Sequence, residues 1–173
     1  LGKRYLKSNG EMATDEWVDD YQFYVNKKGL KVSSVKYSTK NWVETKKGWR
    51  YKKSGGGYVK NTWKTINHRV YYFDKKGYMK TGWFKVGGKK YHCKATGEIE
   101  TGLGARETGW VQVGQNQYWC DDKGVLETNQ WVDRCQYYVG SKGKRVDTLT
   151  YQNLRNVNTS NRLGYFVYQA DSP

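Results

Sequence analysis

The chain has 173 residues and a formal net charge of +15, and it contains no apolar run long enough to span a bilayer or to act as a signal peptide. Many of its apolar side chains are Tyr (16) or Trp (8), while Gly occurs 20 times and Pro once. This composition excludes a thick aliphatic core. It predicts thin aromatic layers joined by turns of Gly, Asn, Asp and Ser, which is typical of many short β-hairpins.

The positive charge is concentrated in one block. Residues 31–80 hold 14 basic and 2 acidic side chains, whereas residues 81–150 hold 10 and 8, and residues 1–30 hold 5 of each. Such a block attracts polyanions over a screening length of about 10 Å at 0.1 M salt. An anionic wall polymer, a sulfated or sialylated glycan and nucleic acid all fit this charge, and a solvated, solubilising face is the alternative.

Tryptophans divide the chain into units of about 20 residues. Residues 2–15 match only the second half of a unit, so we expect the sequence to begin inside a repeat of a larger protein. Each full unit then runs from Trp through a polar turn to one or two aromatic residues, and ends at a Gly followed by an apolar residue. The leading tryptophans, spaced by 25, 21, 20, 27 and 21 residues, are Trp17, Trp42, Trp63, Trp83, Trp110 and Trp131.

Each unit has the length of one β-hairpin, with turns about two residues shorter in the units at Trp17 and Trp131. A lone hairpin is marginally stable in water, so neighbouring hairpins must stack and share their aromatic faces. We therefore predict an all-β solenoid of stacked β-hairpins over residues 1–147. The unit glycines are expected at positive φ in the links between hairpins. They are Gly29, Gly57, Gly77, Gly97, Gly124 and Gly143.

Two insertions and a tail interrupt this pattern. The two long Trp–Trp intervals contain extra residues at 30–41 and 102–108, and insertions in repeat proteins map to exposed loops. The period stops after Asp147. Residues 148–173 are expected to cap the last hairpin or to begin a following segment.

Neither histidine belongs to a catalytic motif. His68 lies in a turn and is expected to be solvated, whereas His92 occupies a column that holds Tyr72 and Trp119 in adjacent units, which predicts a packing aromatic. The sequence has no GxSxG nucleophile motif and no GxxxxGK[ST] phosphate loop. We therefore predict a chain without catalytic residues or cofactors, although a catalytic domain could lie outside it.

The three cysteines, Cys93, Cys120 and Cys135, have neither CxxC nor Cys/His ligand spacing, so no metal site is predicted. Cys120 and Cys135 could bridge neighbouring hairpins, and free thiols are the alternative.

The patterns "GW-x7-YW-x4-G" at 109–124 and "TW-x7-YYFDKKGYMKTGW" at 62–83 resemble the cell-wall-binding repeats of Gram-positive surface proteins and phage lysins, a group that includes choline-binding modules. Similar repeats occur in glucan-binding proteins and clostridial toxins. The resemblance covers about residues 2–147. It implies a left-handed superhelix of hairpins, a secreted or bacterial cell-surface location, and a ligand held between successive hairpins by aromatics from both.

The ligand-binding residues that this resemblance implies are Trp42, Trp49, Tyr51, Trp63, Tyr72, Met79, Trp83, Tyr91, Trp110, Tyr118, Trp119 and Trp131. Choline-type repeats place a second Trp seven positions after the first, which only Trp42 and Trp49 match. Later units have Val70, Lys90 and Gln117 in that column, and Lys90 would repel a cation. We therefore expect at most two degenerate choline sites, and a sugar or a polyanion suits the remaining grooves better. The expected choline sites are Trp42/Trp49/Tyr51 with Trp63, and Tyr72/Met79 with Trp83.

The leading hypothesis is a non-catalytic module that binds a cell-wall polymer of the teichoic acid, choline or glucan type, or a host glycan. Its basic contacts would be Lys46, Lys47, Arg50, Lys52, Lys53 and Lys64. The alternative is an adhesin or toxin repeat that grips a host protein or host glycan through its basic face and its two insertions. Nucleic-acid binding ranks third because no RNP, OB-fold or helix-turn-helix signature is present.

Overall fold

The computed structural model describes residues 4–7, 10–18, 23–32 and 37–147, and all regular structure in this part of the chain is β. The predicted cap at 148–173 and part of the first insertion, residues 33–36, lie outside the described residues. Across the described ranges, no helix is long and apolar enough to cross a membrane.

The strands within these ranges are short and pair mainly with their neighbours in sequence. They are β1 (Glu16–Val18), β2 (Phe23–Val25), β3 (Lys31–Val32), β4 (Trp42–Val43), β5 (Arg50–Tyr51), β6 (Thr62–Ile66), β7 (Arg69–Phe73), β8 (Gly82–Val86), β9 (Lys89–Cys93), β10 (Gly109–Val113), β11 (Asn116–Cys120), β12 (Gln130–Val132), β13 (Tyr137–Val139) and β14 (Arg145–Val146). The antiparallel hairpins are β4–β5, β6–β7, β8–β9 and β10–β11, while β1–β2–β3 and β12–β13–β14 form three-stranded sheets.

Turn chemistry sets the register of the hairpins. Gly87 and Gly88, with φ of 56° and 77°, form the two-residue turn between β8 and β9, as a type I′ hairpin requires. Asn67 and His68 adopt the same left-handed conformation between β6 and β7. In the Trp131 unit the predicted shorter turn is wrong: the strands are three residues long rather than five, and the loop 133–136 is longer.

Backbone hydrogen bonds from each link to the preceding hairpin stack the units. The amide of Met79 donates to the Trp49 carbonyl at 2.8 Å, and the amide of Arg106 donates to the Val70 carbonyl at 2.7 Å. Leu126 extends the pattern by donating to the carbonyl of Lys90, in β9, at 2.8 Å. These bonds tie the units at Trp63, Trp83 and Trp110 each to the unit before it, and the predicted all-β solenoid of stacked hairpins is confirmed.

The unit glycines adopt the predicted conformation, with φ values from 69° to 93° at all six positions. Two of them also permit the close approach of adjacent units. A Cβ on Gly124 would lie 2.6 Å from Arg106 Cδ, and a Cβ on Gly143 would lie 2.6 Å from Leu126 Cδ1. At these two links the stacking therefore depends on the missing side chain.

The main core lies where the units at Trp42, Trp63 and Trp83 meet. The buried residues of this cluster are Trp42, Val59, Ile66, Tyr71, Phe73, Met79, Ile99 and Ala105. The second insertion belongs to this core, because Gly102, Gly104 and Ala105 are buried and Leu103 packs against the cluster. The prediction that 102–108 forms an exposed loop is therefore wrong for its first four residues, since they seal the core instead of projecting from it.

Candidate functional site

An aromatic groove lies between successive hairpins, and the alternation of the second strand builds it. Because neighbouring residues on a strand point to opposite faces, Tyr71 turns to the preceding unit, 5.0 Å from the Trp42 ring, while Tyr72 turns to Trp63 of its own hairpin, also at 5.0 Å. The same rule defines four grooves. They are groove A (Trp42, Tyr51, Tyr71), groove B (Trp63, Tyr72, Tyr91), groove C (Trp83, His92, Tyr118) and groove D (Trp110, Trp119, Tyr137).

Groove A is closed by apolar packing. Trp42 is 8% exposed and Tyr71 0%, and Phe73 packs 5.8 Å from the Trp42 ring. Tyr37, from the first insertion, covers the groove by donating a hydrogen bond to the Tyr71 hydroxyl at 2.9 Å and accepting one from Trp42 Nε1 at 3.0 Å. Groove A is thus part of the hydrophobic core.

Met79 and Trp63 do not lie where the expected choline sites require them. Met79 is buried in the same cluster as Trp42, with its amide bound to Trp49, whereas it was expected to line a site with Tyr72 and Trp83. Trp63 belongs to groove B instead of completing the Trp42 site. The structure therefore gathers Trp42, Trp49 and Met79 into one set, which is the set closed by the core.

Groove B is filled by a fourth ring and approached by an arginine. Phe84 stacks on Tyr72 at 5.5 Å with an interplanar angle of 24°, and its ring centre is 5.8 Å from that of Trp63. The guanidinium carbon of Arg106 lies 5.8 Å from the Trp63 ring centroid. Arg106 forms a backbone β-bridge with Cys93, just as Met79 does with Phe73 in the preceding unit. Arg106 therefore occupies the position that is equivalent to Met79.

Groove C carries a lysine on its wall. The Lys90 ammonium lies 4.6 Å from the Trp83 ring centroid, and Tyr118 of the next hairpin meets the same ring at 5.0 Å. His92 is 5% exposed and packs 4.6 Å from the Trp83 ring, so its prediction as a packing aromatic is confirmed. Its Nδ1 also pairs with the carboxylate of Glu107.

Groove D holds a second arginine. The Arg145 guanidinium lies 4.2 Å from the Tyr137 ring centroid and 5.9 Å from that of Trp110. Arg145 Nη1 donates to Gln117 Oε1 at 2.8 Å. Gln117, in the column where choline-type repeats have a second Trp, therefore fixes the position of the guanidinium. Trp131, expected to be a far wall, instead packs 5.8 Å from Tyr138 of its own hairpin, and Tyr137 provides the wall.

Outside the four grooves, an arginine of the Trp63 hairpin likewise lies against the aromatic ring of Trp17. Arg69 is 1% exposed, and its guanidinium lies 4.4 Å from the rings of both Trp17 and Tyr37. It donates to the Ile99 carbonyl at 3.0 Å. His68, expected to be solvated, is exposed on one side but packs 4.6 Å from the Tyr24 ring.

The Lys90 cation in groove C was expected from the sequence, whereas the two arginines, Arg106 and Arg145, were missed. Arg145 stands two residues after its unit glycine, in the column where the repeat predicts an apolar residue. An arginine in that column was a visible sign of a cation in the groove. Arg106 gave no such sign, because the insertion moves it nine residues beyond Gly97 and leaves Ile99 at the expected spacing. The structure buries Ile99 in the core instead.

The predicted basic patch is mostly available to solvent. Arg50 is the exception, because its guanidinium lies 3.6 Å from the Tyr58 ring and donates to the Lys76 carbonyl at 3.1 Å. The exposed members are Lys46, Lys47, Lys52, Lys53 and Lys64.

The cysteines are free, with Cys93 and Cys120 buried and Cys135 exposed. Burial raises the pKa of the Cys120 thiol to about 12, and it also raises the pKa of Cys93. These two thiols are therefore neutral packing groups at physiological pH. Among the described residues, no group of three or more His, Cys, Asp or Glu side chains is placed to hold a metal ion.

Two family models described as choline-binding repeats match the chain, one at residues 1–30 and 107–144 and the other at residues 59–99. These ranges contain the aromatic walls of grooves B and D. The 107–144 match begins just after Arg106 and ends just before Arg145, so neither arginine is included. None of the curated proteins compared with the chain matches it.

Solved structures of pneumococcal proteins share the fold. Choline binding protein F from Streptococcus pneumoniae is 27% identical with a TM-score of 0.53, over 83% of this chain and 43% of its own. The same protein in the presence of a peptidoglycan analogue, a tetrasaccharide-pentapeptide, is 28% identical with a TM-score of 0.53, over 83% and 43%. CbpJ from Streptococcus pneumoniae TIGR4 is 27% identical with a TM-score of 0.53, over 84% and 47%. The chain therefore spans less than half the length of these proteins.

Proposed function

Because this chain belongs to the choline-binding repeat family, we propose that it is a non-catalytic module that holds a secreted or surface protein on bacterial cell-wall polymer. The family match and the likeness to a pneumococcal protein crystallised with a peptidoglycan analogue support this function. Grooves B, C and D are the proposed contact surface, since each brings half-buried aromatic rings from two units together.

The cations in grooves B, C and D favour a ligand other than choline. A quaternary ammonium gains up to about 2 kcal/mol from a desolvated aromatic face, but the protein's own Arg106, Lys90 and Arg145 already lie against these faces. A second cation about 6 Å from the Lys90 ammonium would also be repelled by about 3 kcal/mol at an effective dielectric constant of 20. We therefore propose that these grooves bind sugar rings or anionic groups of the polymer.

The exposed part of the basic block extends this surface. Lys46, Lys47 and Lys64 are exposed, whereas the guanidinium of Arg50 is held against the Tyr58 ring. An anionic polymer bound in the grooves would gain from this field without a fixed contact, and the gain would fall as salt is added.

The proposed function is tested by sedimentation of the chain with purified Gram-positive cell walls. Trp63→Ala and Trp83→Ala remove one wall each from grooves B and C, and we expect each to weaken wall binding about tenfold, the size of a moderate interface anchor. Competition with choline, dextran and teichoic acid then ranks the ligands, and choline should compete least.

Lys27→Gln is the control, since this exposed side chain lies outside the grooves and the basic block. Thermal melting of each variant separates lost contact from lost fold. Wild-type chain that fails to sediment with any wall would refute the function, and binding unchanged in both tryptophan variants would refute the grooves as the contact surface.

A further inference from the structure

A cleft of about 560 Å³ opens beside groove C, and four lysines line it: Lys89, Lys90, Lys142 and Lys144. We propose that this lysine cleft binds the phosphoryl groups of an anionic polymer. Among the described residues that line it, none is acidic. That the polymer belongs to the cell wall rests on the proposed function, whereas the preference for phosphoryl groups rests on the cleft alone.

Three successive units fix the positions of these lysines. Lys89 and Lys90 follow the Gly87–Gly88 turn at the start of β9, and the Lys90 carbonyl accepts the Leu126 amide at 2.8 Å. Lys144 forms a β-bridge with Tyr118 of β11. The cleft therefore exists only in the stacked solenoid, because no single hairpin carries all four side chains.

The charge of the cleft is local and is hidden in the sequence. Residues 81–150 hold 10 basic and 8 acidic side chains, so this half of the chain looks nearly neutral by composition. Stacking brings these four lysines to one cleft, and no acidic residue is among the described residues that line it. Clefts lined by one sign of charge concentrate the opposite ion, and this effect weakens with ionic strength.

The lining suits a phosphodiester chain better than an isolated anion. Each ammonium group offers three donors to phosphoryl oxygens, and the hydroxyls of Thr128 and Ser141 add donors at the edge. Tyr118 and Leu126 supply an apolar wall, against which the carbon units between phosphates can pack. Lys90 also lies on the Trp83 ring, so the cleft adjoins groove C and one polymer could enter both.

Calorimetric titration of the full chain with poly(glycerol phosphate), pyrophosphate, dextran and double-stranded DNA tests the proposal. In Lys142→Gln/Lys144→Gln we expect affinity for poly(glycerol phosphate) to fall at least tenfold, with dextran binding unchanged. The matched control is Lys27→Gln/Lys28→Gln, which removes the same charge from exposed lysines, with Lys28 preceding Gly29 as Lys142 precedes Gly143. This control should lose less than twofold.

The four ligands and the two double variants distinguish the possible outcomes. Equal losses of affinity for poly(glycerol phosphate) in both double variants would show that only the overall positive charge of the chain attracts the polymer, and not the cleft. Pyrophosphate binding that the polymer does not displace would assign the cleft to a free phosphate ligand, and DNA bound more tightly than poly(glycerol phosphate) would assign it to nucleic acid. Each of these results overturns the proposal. Cell-wall sedimentation by the wild type without poly(glycerol phosphate) binding would refute this inference alone, and the reverse would refute the proposed function alone.

Discussion

Grooves A and D follow one plan and close in opposite ways. In both, a tryptophan meets a ring of its own hairpin and a tyrosine of the next, at 5.1 Å and 5.0 Å in groove A and at 5.1 Å and 5.3 Å in groove D. Groove A is then sealed by Phe73 and Met79, whereas groove D receives the guanidinium of Arg145. The residue that the following link contributes therefore decides whether an inter-hairpin groove becomes core or a polar surface site.

Truncation of the apolar seal should show the largest difference between the two grooves. Phe73→Ala leaves a cavity in a fully buried site and should lower the free energy of unfolding by about 3–5 kcal/mol. Tyr137→Ala in groove D removes a half-buried ring and should cost about 1 kcal/mol. Urea unfolding followed by tryptophan fluorescence measures both, and similar costs would contradict the division into core and surface grooves.

Removing the built-in cation should free the rings of groove D for a bound cation. Arg145→Met places the residue found at Met79 in the equivalent position and removes the guanidinium from the Tyr137 ring. We expect choline affinity to rise at least tenfold, about 1.4 kcal/mol, as measured by isothermal calorimetry. Lys27→Met, which removes one charge from an exposed lysine outside the grooves and the lysine cleft, is the control and should gain nothing.

Alkaline titration should give the smallest effect and compare the buried and exposed thiols. Burial is the main cause that raises the pKa of Cys120 from 9.0 to about 12, with the Glu107 carboxylate adding to it. The unfolded thiol ionises first as pH rises, so this group's contribution to stability is complete below pH 9 and is lost between pH 9 and about 12. Cys120→Val should flatten the loss of melting temperature above pH 9, whereas exposed Cys135→Ala should leave it unchanged.

The repeat made the fold predictable. Tryptophan spacing located the units, and positive φ at all six unit glycines follows from the need to turn between hairpins. The repeat pattern could not predict which aromatic rings meet. A repeat period shows which residues are equivalent between units, but not which face of the neighbouring hairpin each of them contacts. Tyr71 and Tyr72 are adjacent in sequence yet serve different grooves, and this follows only from strand alternation within a stacked pair.

Insertions limited the prediction of the site. Spacing from Gly97 pointed to Ile99 as the link residue, but eight residues, 98–105, intervene before Arg106 reaches groove B, and Ile99 itself is buried in the core. Electrostatic clusters were hidden for a related reason. Charge counted along the chain averages over both sides of the solenoid, so the lysine cleft, drawn from three units, has no linear signature.

In the hairpins at Trp63, Trp83 and Trp110, adjacent aromatic residues of the second strand face two different grooves, and this limits how such chains can diverge. Tyr118 completes groove C while its neighbour Trp119 opens groove D, so the hairpin at Trp110 is divided between two grooves, as are those at Trp63 and Trp83. Loss or duplication of one unit during recombination would never remove or copy a whole groove; it would join half of one to half of another. Shuffling of repeats thus generates new ligand preferences at each junction while the scaffold stays intact.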